Sequence, residues 1–365
     1  MTSKSRPKAL DAELQAIISG LVAADRSVRN CAVSVASGDG SFAWSGAAGN
    51  ARATVPMNKD TPIYIASVTK LYTATIIMML FERGSIALDD RIAKYLPRTI
   101  VEGIHVYAGT DYSNQITIRE LLGHCSGIAD YYAEKAHDGK SLFDEFLEDP
   151  TRRWTVMETI ERAKYDLSPN FAPGAGTSYS DTNFQLLGIL IERITGNPLE
   201  AVFEELIFRP LGLAHTWLVG FPRAQSPSPA PADVFLGNTN VTAIRSNGSY
   251  WADGGMVATA DEMVGFLRAL KDGRLIRKDT LAMMHDWRRW KFPVRLGLGT
   301  ICVALPLPLA KLAGIPRMWG HAGSTGAFLY HVADTDLFIA GTVGQIESRL
   351  KPLLLVRRII KAAAR

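Results

Sequence analysis

The sequence predicts an α+β fold: an antiparallel sheet of about five or more strands built from both chain ends, flanked by terminal helices, with a mostly helical second lobe. Three observations predict it. Strand-like runs cluster near the two termini, residues 85–285 carry mainly helical spacing and loops, and an apolar-spaced segment stands at each end of the chain. The reading is of a single unit, residues 1–365, with an α/β lobe (about 1–60 plus 286–365) and a helical lobe (about 61–285).

Residues 9–23 place apolar side chains at helical spacing. Residues 30–37 and 41–45 are short, alternating and joined by Gly-Asp-Gly, which reads as a β-hairpin. Residues 67–83 read as a helix stopped by Gly84. Further helices are expected at 116–122, 156–164, 182–195, 199–208 and 260–270. A Pro/Ser-rich stretch at 221–233 is too polar for a core and reads as a loop. Strand character returns at 298–304, 326–332 and 337–343, the last two joined by Ala-Asp-Thr-Asp, and a helix over 347–363 closes the chain. The two terminal helices should cover one face of the sheet and the helical lobe the other. The 67–83 helix then lies at the junction, where a cleft belongs. No internal repeat is present.

Composition narrows the class. With 47 % hydrophobic and 21 % charged residues, the 365-residue chain has the make-up of a globular protein, not a disordered one. The net charge of +4 is unevenly placed: residues 345–365 hold six Lys/Arg against Glu347, a charge of +5 that leaves −1 for the rest. A basic tail suits nucleic acid or anionic lipid. Here, however, Leu350, Leu353, Leu354, Val356, Ile359 and Ile360 are interleaved, so a docked amphipathic helix is expected and no nucleic-acid partner. Cys31, Cys125 and Cys302 are too few and too scattered for a disulfide framework or a metal site. The N-terminal MTSKSRPKAL is basic, but Asp11 and Glu13 come directly after it, and no apolar stretch leads to a cleavage site. The longest clean apolar run, 73–81, is far short of a membrane span. The expected location is the cytoplasm, or the periplasm if a leader has been removed, with the oligomeric state open.

Chemistry enters with IASVTKLYTA at 65–74. Ser67 and Lys70, three apart on a helix, share a face. Ser67 falls in the first turn, where free N–H groups favour developing negative charge. A serine hydroxyl needs a neighbour to take its proton. A lysine desolvated by Ile65, Val68, Leu71 and Ile76 should lose affinity for its own proton and become such a base. The plainer alternative is a capping serine beside a solvated lysine. Two further stretches accompany the pair. PGAGTSYSDTNFQLLG, 173–188, sets Tyr179 and Asp181 before a helix, and WGHAGSTGAF, 319–328, sets His321 and Gly323 beside the start of a strand.

With these motifs the chain resembles the serine hydrolases of the class C β-lactamase, D-alanyl-D-alanine carboxypeptidase and bacterial esterase type. SVTK stands for the family's SxxK, YSD for its YxN and HAG for its KTG or HxG. LLGHCSGIADY at 121–131, IFRPLGLAHT at 207–216 and GGMVATADEMVGFL at 254–267 are weaker marks of the same kind. The resemblance runs from about residue 30 to 344. It implies a β-lactamase/transpeptidase-like fold, an acyl-enzyme, and no metal or cofactor. It makes Ser67 the nucleophile, with Lys70 and Tyr179 sharing the proton work, Tyr179 taking or relaying the proton of Ser67 beside a stabilising Lys70. It places the backbone N–H groups of Ser67 and Ser324 as oxyanion donors, and Asp181, His321 and Gly323 among the substrate-binding residues.

Two departures bear on substrate. Asp181 replaces an asparagine whose amide can donate; an ionised aspartate only accepts. Near Lys70 it would favour the ammonium and shift the base role to Tyr179. His321 and Ala322 replace a lysine and a hydroxyl residue, which weakens a site for a substrate carboxylate; Arg288 or Arg289 are cations that nothing in the sequence positions. The reading is therefore an esterase or amidase on small acyl substrates, with weak β-lactam hydrolysis as a further possibility. A β-lactamase or carboxypeptidase proper, and a non-catalytic acyl-binding sensor or structural relative, stay open. Cys125, in G-x-C-x-G form, is set aside because the nucleophile elbow needs a preceding strand, and 116–122 reads as helix. His124 reads as a loop-fixing residue, Tyr131 and Tyr132 as cleft lining on the resemblance alone, and Trp287 and Trp290 as part of a surface loop near the cleft. The remaining histidines lack metal-ligand spacing.

Overall fold

The computed structural model describes residues 5–221, 228–346 and 350–363. Its main sheet has nine antiparallel strands among the described residues. In spatial order they are Arg288–Arg289, Val294–Leu296, Ile301–Val303, Met318–Ala322, Phe328–Val332, Leu337–Thr342, Asn30–Ser37, Ala43–Arg52 and Val55–Pro56. The two chain ends meet at one seam, where Ala32 stands opposite Thr342 and Ser37 opposite Leu337. The expected sheet from both termini is therefore present.

Strand alternation divides the interior into two cores. Cys31, Val33 and Val35, with Leu337 and Ile339 across the seam, pack under the terminal helices Ser5–Ala24 and Leu350–Ala363, against Leu14, Ile18, Val356 and Ile359. Ala32 and Ala36, with Phe338 and Ala340, face the larger core shared with the helical block. The side chains of Asn30–Ser37 on this face are small, which lets the Ala260–Lys271 helix lie close; Ser34 donates to Asp261 on it at 3.1 Å. No helix among the described residues is long and apolar enough to cross a membrane.

Several elements differ from the sequence reading. The second hairpin strand runs on to Arg52, because the small residues of GAAGNAR carry no alternation signal yet fit beside Asn30–Ser37. The 298–304 strand shortens to Ile301–Val303, since Gly297 to Thr300 form a turn with Gly299 at φ +68. The central Met318–Ala322 strand and the Leu307–Ala313 helix were not expected at all. The stretch at 199–208 is α-helical to Phe203 and π-helical over Glu204–Phe208. Of the 221–233 loop, residues 222–227 lie outside the described residues, as do 347–349 of the last helix.

Candidate active site

Short strands Ile63–Tyr64 and Met256–Ala258 pair antiparallel, and Ile65 N–H donates to Met256 O at 3.1 Å. The chain then turns through Ala66, at φ +46, into the 3₁₀ turn Ala66–Val68 and the helix Thr69–Glu82. That helix is apolar nearly all round and buried from Thr69 to Leu80. Its rigidity fixes Lys70, whose side chain is fully buried and whose Nζ donates to Ser67 Oγ at 3.3 Å and to Asp253 O at 2.6 Å. Asp181 Oδ1 lies 2.5 Å from the same Nζ.

Asp181 opens the helix Asp181–Thr195, and Tyr179 stands in the loop before it. This loop is laced to residues 124–127: Ser178 N–H donates to His124 O at 3.0 Å, Ser180 N–H to His124 Nδ1 at 3.1 Å, and Gly174 N–H to Cys125 O at 2.8 Å. The close approach requires glycine at 127, where φ is +77 and a Cβ would sit 2.0 Å from Phe171 O. His124 stacks on Tyr179 at 4.3 Å, and the Trp290 ring lies 5.5 Å from it at a tilt. Lys70 Nζ lies over the Tyr179 ring, 5.0 Å from its centre. The Tyr179 hydroxyl is buried and interacts with Ser67 and Lys70, yet closes no hydrogen bond of ordinary geometry.

The Met318–Ala322 strand brings up the third side. Gly323 abuts the nucleophile turn so closely that a Cβ would meet Ile65 O at 2.3 Å and Ala66 Cβ at 3.0 Å. Ser324 follows, exposed, with its Oγ accepting from Arg245 Nη2 at 2.5 Å. His321 is buried, 6.4 Å from the Tyr179 ring, with Nδ1 against the Ala322 backbone and Nε2 without a hydrogen-bond partner among the described residues.

Electrostatics decides which groups can hold protons. Burial pulls Lys70 down, but the Asp181 carboxylate, seconded by Asp253, pulls harder the other way, and its pKa ends well above the ordinary lysine value. The expectation of a lysine with weakened proton affinity is overturned, and the physical reason is the carboxylate at 2.5 Å. Burial raises Tyr179 as well; Lys70 offsets only part of this, so the resting side chain is a phenol. Burial, then Lys70, hold His321 down to about 3, so its ring is neutral. Cys125 follows the Ile118–Leu122 helix, donates to Gly123 O at 3.2 Å, and is pushed up to about 11 by burial, which suits an inert thiol.

The sequence reading overlooked several buried groups. Asp130 accepts from the N–H groups of Asp181 and Tyr132 and is raised well above the carboxylate range by burial and by the Asp181 charge. Asp253 accepts from Tyr131 Oη at 2.7 Å and Trp251 N–H at 3.1 Å, while its carbonyl holds Lys70. Arg245 is buried beside Tyr250. The only signal available was a charged residue amid apolar or small neighbours, as in Trp-Ala-Asp-Gly-Gly. Arg288 and Arg289, the cations considered from sequence, form an edge strand of the main sheet.

Residues 14–345 match the family described as Beta-lactamase. A putative D-alanyl-D-alanine carboxypeptidase of Escherichia coli (strain K12) is 27 % identical over 291 residues, covering 72 % of this chain and 64 % of that protein. Esterase EstB of Burkholderia gladioli is 29 % identical over 263 residues, covering 62 % and 61 %. The chain thus matches less than two thirds of the length of these two curated relatives. Among solved structures, a D-stereospecific amidohydrolase from Streptomyces sp. has a TM-score of 0.73 at 28 % identity, covering 96 % of this chain and 98 % of that one. D-amino acid amidase from Ochrobactrum anthropi SV3, complexed with D-phenylalanine, has a TM-score of 0.80 at 24 % identity over 98 % and 99 %, which speaks to the fold alone.

Proposed function

We propose, from the premise that the chain belongs to the Beta-lactamase family, that it is a serine hydrolase working through an acyl-enzyme on Ser67. Its substrates are small-molecule esters or amides, with β-lactams cleaved weakly. The observation that carries this reading is the approach of Lys70 Nζ to Ser67 Oγ at 3.3 Å, with the buried Tyr179 hydroxyl interacting with both. The chain acts as one catalytic unit, with an α/β lobe of about residues 1–60 plus 286–365 and a helical lobe of about 61–285 meeting at the Ser67 turn.

Lys70 and Tyr179 both rest protonated, so neither is a standing base. Tyr179 therefore works as a relay. As Ser67 Oγ attacks the carbonyl carbon, its proton passes to Tyr179 Oη, and the phenol's own proton goes to the departing alcohol or amine. The Lys70 ammonium stabilises negative charge building on the phenol oxygen. The backbone N–H groups of Ser67 and Ser324 receive the carbonyl oxygen; losing one such donor typically costs about 10²–10³ in turnover. Water then attacks the acyl carbon, gives a proton to Tyr179, and Ser67 recovers its own. Asp181, engaged with Lys70, keeps that ammonium charged and offers substrate no donor. His321, neutral, borders the leaving-group side, and Gly323 holds the strand against the nucleophile turn.

Intact-mass measurement after a fluorophosphonate probe tests the reading. One adduct on the wild type and none on Ser67→Ala is expected, with Ser67-dependent release of p-nitrophenol from short-chain esters. Labelling without turnover would instead mark an acyl-binding sensor. Cleavage of nitrocefin near the efficiency of a dedicated lactamase, with esters ignored, would overturn the substrate assignment.

A further inference from the structure

Arg245 is 4 % exposed, yet no carboxylate among the described residues makes an ion pair with it. Its guanidinium lies over the Tyr250 ring at 4.2 Å, near the Tyr132 phenol. Nη2 donates to Ser324 Oγ at 2.5 Å, and Nε has no hydrogen-bond partner among the described residues. The two acids that influence it most are committed elsewhere: Asp181 to Lys70, and Asp253 to Tyr131 Oη and Trp251 N–H. A buried charge whose direct contacts are all neutral groups is costly unless something pairs with it.

The unpaired edge is also the edge suited to recognition. Nε–H and one Nη–H on the same side of a guanidinium form the fork that takes a carboxylate in two parallel hydrogen bonds. Here one prong is empty and the other rests on the hydroxyl of exposed Ser324, which can swing into solvent. Ser324 adjoins Gly323, packed on the Ser67 turn, so the Nη2 prong ends one residue along the chain from the contact with the nucleophile turn, and Nε lies buried behind it until Ser324 moves.

Direction follows from the proton path. Tyr179 hands its proton to the leaving group, so that group lies toward Tyr179 and its neighbours His124, Trp290 and His321. Arg245 contacts Ser324 and the Tyr250 ring instead, so the acyl portion is the part of the substrate assigned to its side. Resting on the hydrolase reading above, we propose that the Nε/Nη2 edge of Arg245 binds a carboxylate carried on the acyl portion of the substrate. The preferred substrates are then half-esters or half-amides of short dicarboxylic acids, and acyl groups bearing an ammonium are rejected.

The test compares p-nitrophenyl esters matched in length and differing in charge: the adipic half-ester, the hexanoate and the 6-aminohexanoate, with glutaric half-ester and valerate as a shorter pair. Rates are corrected for spontaneous hydrolysis. Wild type should favour the anionic over the neutral ester in kcat/KM by about thirtyfold or more, the effect expected of a buried charge pair, and the cationic ester should be slowest. Arg245→Gln should collapse that ratio toward one, and Arg245→Lys should restore part of it. Equal wild-type rates across the three charges, or a ratio unchanged in Arg245→Gln, overturns the proposal. If the Gln variant does not fold, as judged by circular dichroism and melting, the wild-type series and the Lys variant decide. Hexanoate turnover that is lost in Ser67→Ala but comes with no charge preference defeats this inference alone. If no ester is turned over, the hydrolase reading falls and takes the inference with it.

Discussion

Asp181→Asn is the substitution that most directly probes the charge balance of the site. Asp181 Oδ1 and Lys70 Nζ are 2.5 Å apart, with side-chain exposures of 10 % and 0 %. At an effective dielectric of about 20, two unit charges at that distance attract by about 7 kcal/mol before desolvation is charged against them. Breaking a buried pair by removing one partner typically costs about 3–5 kcal/mol, because the other charge is left uncompensated. Lys70 keeps its bond to Asp253 O at 2.6 Å, so the lower figure, about 3 kcal/mol, is expected here. That corresponds to roughly a hundredfold weaker hold of Lys70 on its proton.

Denaturant unfolding at pH 7, followed by tryptophan fluorescence, measures the loss. Lys70 has a raised folded pKa, so its contribution is fully present below the ordinary lysine value of 10.5 and fades only as pH rises through the folded value. The gap between wild type and variant should therefore be constant from pH 6 to 8. The double variant Lys70→Met/Asp181→Asn should lose less than the two single losses added together, since it removes both charges. Catalytically, the new amide can donate to a substrate carbonyl, so amide turnover should rise relative to ester turnover. Stability within about 0.5 kcal/mol of wild type, or additive single losses, would refute the charge argument. An activity loss common to all substrates would refute the donor argument.

Three further outcomes are expected. Tyr179→Phe should lower kcat/KM by about 10²–10⁴ with the fold retained by circular dichroism; retained activity would rule out the relay. Gly323→Ala places a Cβ 2.3 Å from Ile65 O and should cut kcat by about 10² through displacement of the Ser67 turn, so an unchanged kcat would show that the contact does not hold the turn. His321, depressed to about 3, and His285, to about 4, stay neutral in the folded chain where the unfolded chain takes protons near 6.5. Stability should accordingly fall as pH drops below about 6.5, His321 contributing about 2–3 kcal/mol of that loss by pH 4.5; a His321→Gln variant with the same acid slope in urea titrations would count against this.

What could be read from the sequence was local. Ser67 and Lys70 meet because three residues of helix bring them together, and the alternation of Asn30–Ser37 against Leu337–Thr342 assigned each side chain to its core. Long-range proximity was harder to see. Asp181, 111 positions after Lys70, is read as favouring its ammonium only because the YSD motif carries it there, whereas Asp130, Asp253 and Arg245 belong to no short motif. The Met318–Ala322 strand escaped notice because Gly320, at φ +150, and Ala322 break the pattern of branched side chains that marks a strand.

The seam where Ala32 faces Thr342 also constrains how the molecule is made. During synthesis the first hairpin emerges with one long side unsatisfied, and its partner is translated some three hundred codons later. Until then Cys31, Val33 and Val35 have neither that neighbour nor the C-terminal half of their apolar cover. Completion of the sheet therefore waits for residues 337–342, and a ribosome stalled short of residue 337 leaves a nascent chain with a sticky, half-made sheet.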